Sequence, residues 1–97
     1  MSKNDAEQRD WTHTRVWQLQ CRRRLQENPL DLDALFAKAA WLATSEEYEK
    51  CIETLEVITK RDPFYPGIWM LKAKIYGQLG NEMMAKLCQE RAEEQSI

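Results

Sequence analysis

Side chains able to do covalent or acid–base chemistry are few in this chain, and they are scattered. Its one histidine, His13, has no cluster of cysteines or carboxylates at metal-ligand spacing around it, and its three cysteines, Cys21, Cys51 and Cys88, lie far apart in an odd-numbered set. Neither a zinc site nor a secreted disulfide framework has that pattern, so His13 reads as solvent-exposed and the thiols as reduced and packed. The carboxylate pairs Glu46-Glu47 and Glu93-Glu94 have the side chains of a general acid and base. Neighbours on a helix diverge by about 100°, however, so without a pocket they are solvated charges. Glu46–Lys50, Glu56–Lys60 and Glu82–Lys86 stand at ordinary i,i+4 spacing. No phosphate loop, nucleophile elbow or dinucleotide fingerprint occurs. These residues predict no enzyme, no metal and no cofactor.

A cluster of cations, Arg22, Arg23 and Arg24 with Arg15 one turn or more before them, is the feature that would suit a phosphate backbone. The segment 1–28 holds six Lys or Arg against four Asp or Glu, and the remainder holds eight against twelve, within a formal net charge of -2. Nucleic-acid binders carry a stronger basic footprint, so RNA binding through Arg22–Arg24 stands behind a solvated helix face as a reading. The opening MSKNDAEQRD has no apolar stretch, and no later segment approaches the roughly 18 to 20 apolar residues of a membrane span. A cytoplasmic protein with no membrane segment is the expectation.

Glycine and proline number three each in 97 residues, too sparse for the turns of a small sandwich or barrel, while 43% hydrophobic and 31% charged residues suit one globular domain over 1–97. Pro29 and Pro63 each close a helical stretch, and the offset between them is 34. Shifted by that offset, Leu35 falls on Trp69, Ala39 on Ala73, Leu42 on Tyr76, Cys51 on Ala85 and Ile58 on Ala92. Small residues meet small ones and large meet large, the mark of an internal repeat.

Leu32, Leu35, Phe36, Ala39 and Leu42 follow helical spacing and predict a helix over 31–44. Ser45 has the chemistry of an N-cap, with Glu46 and Glu47 favoured in the first turn of a second helix over 46–60. RDPFYP breaks the chain, since proline disfavours helix in the residue before it, and Pro66 opens a third helix. Gly80 and Asn81 end that helix and cap the next, over 82–94, whose apolar face is weak: Met84, Ala85, Cys88 and Ala92. A helix over 10–27, extendable from Asn4, precedes them.

Trp69, Ala73, Tyr76, Gly80, Ala85 and Ala92 resemble the signature of the tetratricopeptide repeat, a helix–turn–helix unit of the same period. The first unit keeps Ala39, Tyr48 and Pro63 but has Leu35, Leu42, Glu46, Cys51 and Ile58 at the other marked positions, with Glu46 in place of the turn glycine. The resemblance covers about 31–95. It implies an all-α antiparallel helix stack (an α-α superhelix) of about five helices: helix 10–27, a repeat over 31–63 and a repeat over 66–95.

Proteins of this family bind peptides or helices on a concave face lined by the first helix of each repeat. On these two helices the face is Asp33, Phe36, Ala37, Ala40 and Thr44, then Met70, Leu71, Lys74 and Gln78. Phe36, Ala40, Met70 and Leu71 predict an apolar strip with Lys74 beside it, the alternative being that Phe36 and Met70 pack on neighbouring helices within the monomer. The family's carboxylate-gripping set is represented by Lys74 alone, so an apolar helix or strand segment of another protein is the expected partner. Trp17, Trp41 and Trp69 are expected between helices and Trp11 at a contact, because exposed tryptophan marks interface hot spots. Two units and one helix make a short stack, so a homo-oligomer formed through its open ends is the alternative.

Overall fold

A computed structural model describes residues 3–95, with side chains from Arg15 onward. Five α-helices make up the described residues: α1 (Lys3–Glu27), α2 (Leu32–Thr44), α3 (Tyr48–Arg61), α4 (Ile68–Gln78) and α5 (Glu82–Gln95). The first helix starts at Lys3, ahead of residue 10 and one residue before the extension from Asn4 that the sequence allowed. Each packs on the next in order, the tightest associations being α4 with α5 and α2 with α3.

The sequence period is present in backbone geometry as well as in residue type. At Asn28 the side-chain Oδ1 accepts from the Leu30 N–H at 3.1 Å, and the backbone carbonyl accepts from Asp31 at 3.0 Å. Asp62, one period on, repeats both bonds with Phe64 and Tyr65 at 2.9 and 3.2 Å. Each is an Asx turn wrapped around a proline, with the side chain standing in for a backbone acceptor. The helix ends repeat too. Glu46 N–H bonds Ala43 and Glu47 N–H bonds Leu42, as Gly80 bonds Gly77 and Asn81 bonds Tyr76. Both pairs are Schellman motifs, which require a left-handed residue. Gly80 takes φ +79° and Glu46 takes φ +61°.

That geometry corrects the sequence reading of the first turn. Ser45 is the C-cap of α2 rather than the N-cap of α3, and α3 starts at Tyr48 behind Glu47, which makes no side-chain cap bond. The start of α4 also moves. Pro66 and Gly67 form the centre of a type II turn closed by the Ile68 N–H on the Tyr65 carbonyl at 3.1 Å, and Gly67 supplies the φ of +79° that such a turn demands. The helix therefore begins at Ile68, just beyond that turn. Asp31 and Asn81 do cap their helices, accepting from the N–H groups of Ala34 and Met84.

The core runs through α2, α3 and α4. Leu35, Ala39, Leu42, Cys51, Leu55, Ile58, Ile68 and Ile75 are buried in one cluster. Leu55, Ile58, Ile68 and Ile75 are fully buried, at about 1.5–3 kcal/mol each by transfer from water. At the N-terminal end Cys21 of α1 is buried, Trp17 meets Trp41 edge to face at 5.7 Å, and Arg24 grips Asp31 through two bonds of 2.9 and 3.0 Å. At the other end α5 buries only Cys88. The repeat images of Leu55 and Ile58 are Gln89 and Ala92. The second unit thus offers a polar side chain and a methyl group where the first buries two large aliphatic ones.

Candidate functional site

Phe36 and Ala40 from α2 and Met70, Leu71 and Lys74 from α4 line one open groove of about 650 Å³. These are five of the six residues that the sequence reading named as contact candidates, and they share one lining. Helical spacing aligns them, since 36 and 40 are one turn apart, as are 70 and 74. Gly67 lets the chain enter α4 close to α2: a Cβ there would sit 3.9 Å from the Phe36 ring. Ala73, Ala85 and Gln89 complete the groove. Sequence reasoning assigned the groove to α2 and α4 alone and missed the contribution of α5; the crossing of α4 and α5 at small residues brings it in.

Lys74 is the single charged residue of the lining, and among the described residues no carboxylate pairs with it. Phe36 is half-buried, its ring 5.1 Å from that of Tyr65, whose hydroxyl donates to Asp33 at 2.6 Å. Phe36 therefore serves both the packing and the groove wall. Met70 is 61% exposed and holds to neither. It separates the groove from a smaller hollow of about 390 Å³ edged by Phe64, Trp69 and Ala92. Phe64 is 74% exposed. Phe64 and Met70 thus expose large apolar side chains beside the two hollows, as a contact surface does.

Below the hollow lies a polar network that the sequence did not reveal. Lys72 is 3% exposed, with its ammonium 3.0 Å from Glu56, 3.4 Å from the Thr59 hydroxyl and 4.5 Å over the Trp69 ring. Glu56 also accepts from the Tyr76 hydroxyl at 3.1 Å. Glu56 hence turns inward to α4 instead of pairing along its own helix with Lys60. Lys50 likewise pairs with Glu47 at 3.3 Å, rather than with Glu46. Trp69 donates to the Pro63 carbonyl at 2.7 Å, a carbonyl that also accepts from Gln95, and Arg91 of α5 lies over its ring. These bonds hold α4 and α5 to the loop behind α3.

The remaining candidates fall elsewhere. The side chains of Trp11 and His13 lie outside the described residues. Arg24 is engaged by Asp31, whose carboxyl is held below its ordinary range by the Ala34 N–H and then by Arg24, and Arg23 pairs with Glu27 at 3.7 Å. Burial pushes the Cys51 thiol up to about 11 and raises Cys21 and Cys88, so the thiolate form is disfavoured at each. Among the described residues no group of His, Cys, Asp and Glu could hold a metal ion, and no helix is long and apolar enough to cross a membrane.

No protein-family model, no curated protein and no solved structure matches this chain.

Proposed function

We propose that the chain is an interaction module of tetratricopeptide type, whose groove between α2, α4 and α5 holds an apolar segment of another protein. The observation that carries this reading is the convergence of Phe36, Ala40, Met70, Leu71 and Lys74 on one open, largely apolar groove. Seating two or three aliphatic side chains there removes enough surface from water for several kcal/mol gross, at about 1.5–3 kcal/mol each. After the cost of association that surplus suits micromolar, reversible capture better than a permanent complex. The reading is of a binding role without catalysis, in a cytoplasmic setting where three buried free thiols stay reduced.

The test is affinity capture of partners followed by mass spectrometry, comparing the native chain with Met70→Glu and Ala40→Glu. Phe36→Glu is avoided because that ring also packs on Tyr65. The two variants should fold with unchanged circular dichroism and lose the captured protein. Capture that survives both substitutions removes the groove from consideration. Self-association is a second reading, favoured by Val16 and Leu19, which are exposed one turn apart on α1. Light scattering decides it, and a strict monomer at high concentration ends it.

A further inference from the structure

Taking the groove as a binding site, we infer that its occupant is an amphipathic α-helix that sets an acidic residue against Lys74. The helical form follows from the internal repeat. In the first unit α4 closes over α2 and α3 with Ile68 and Ile75, in the buried cluster that includes Ala39, Cys51 and Leu55. Their images one period on are Ala73, Ala85 and Gln89, and these three line the open groove. The surface that receives a helix in the first unit is therefore repeated, uncovered, in the second. A segment with apolar residues at i, i+3 and i+7, the spacing of Ile68, Leu71 and Ile75, fits the same relief.

Two differences between the surfaces define the chemistry. Gln89 stands where Leu55 stands and Ala92 where Ile58 stands, so an incoming helix loses two large aliphatic contacts and binds reversibly, unlike α4. Lys74 stands where Ala40 stands, placing beside alanines and Met70 a cation that no carboxylate pairs among the described residues. A basic or neutral helix leaves that ammonium without a partner next to newly buried apolar surface. A carboxylate on the flank of the helix supplies one.

The probe is a labelled helical peptide of about 15 residues, a length at which a good helix former holds some structure in water. It carries Ile, Leu and Ile at i, i+3 and i+7 on a polar background, with Glu, Gln or Lys at both positions flanking the stripe. Fluorescence anisotropy at low salt should show the Glu version binding roughly tenfold tighter than the Lys version, with Gln between, as one partly exposed ion pair gained against one repulsion implies. The order should invert on Lys74→Glu, and the preference should shrink at high salt. A Glu version with a central proline should not bind. Equal affinity for all three flanks overturns the charge assignment, and binding by the proline version overturns the helix, while either result leaves the groove as a binding site. Failure of every version to bind overturns this inference, and the capture experiment with Met70→Glu then judges the groove by itself.

Discussion

Replacing Glu46 by glycine should make this protein more stable, although the change removes a side chain and adds none. Glu46 sits at the left-handed position of the α2 Schellman motif with φ +61°. A side chain with a Cβ meets the following carbonyl there, at a penalty of about 1–2 kcal/mol. Glycine escapes that clash but has more freedom to lose on folding, about 0.5–1 kcal/mol. The Glu46 side chain is exposed, with no ion pair among the described residues, so its removal breaks nothing in the fold. The balance is a gain of about 0.5–1 kcal/mol, which in a domain of this size raises Tm by about 2–8 °C. Urea and thermal denaturation followed by far-ultraviolet circular dichroism measure it. Two controls isolate the cause: Glu46→Ala keeps the clash and should gain nothing, while Gly80→Ala, at φ +79°, should lose about 1 kcal/mol or more. A Glu46→Gly variant no more stable than Glu46→Ala would refute the left-handed turn.

Further outcomes follow from the buried network and the phenols. Lys72→Met keeps the stem and should change stability by less than about 1.5 kcal/mol, because Glu56 is 40% exposed and stays hydrated. Glu56→Gln leaves the ammonium buried without its counter-charge, and urea unfolding should show it losing about 2–3 kcal/mol, the larger of the two effects. Gly67→Ala forces a Cβ into φ +79° beside the Phe36 ring and should cost about 1–2 kcal/mol in the same assay. Tyr65 and Tyr76 are each pushed up to about 12, first by burial and then by hydrogen bonds to Asp33 and Glu56. Raised phenol values contribute stability that is whole below pH 10 and is lost as pH climbs toward 12. Absorbance titration of the phenolates should therefore show a step near pH 12, and Tyr65→Phe combined with Tyr76→Phe should remove it.

The helices were legible because their apolar residues recur at helical spacing and because two prolines mark one period. The groove residues Phe36, Ala40, Met70 and Lys74 follow from the concave face that the tetratricopeptide resemblance implies, with helical spacing selecting which residues of α2 and α4 stand on it. What escaped depends on information that a linear pattern does not carry. Ser45-Glu46-Glu47 has the composition of a helix start, and a left-handed glutamate carries no residue signature, so the boundary shifted to Tyr48. Pro66 is a sound first residue of a helix until the glycine after it adopts positive φ. Lys72 counts as polar in any periodicity, and its burial arises only when Glu56, on the preceding helix, faces it across the packed pair. Ala85 and Gln89 joined the groove through the close packing of α5 on α4, which no spacing within one helix encodes.

The span of α5 is the image of α3 displaced by one full period at both ends, yet it differs in what it can hold. Leu55 and Ile58 make α3 a surface onto which another helix locks; Gln89 and Ala92 make α5 one onto which another helix can only rest. What α5 can receive is then governed by side-chain chemistry at two positions rather than by the bounds of the helix, which are one period apart in α3 and α5. Exchanging Gln89 for leucine and Ala92 for isoleucine would give α5 the locking surface of α3, and a further helix laid on it would be held as α4 is.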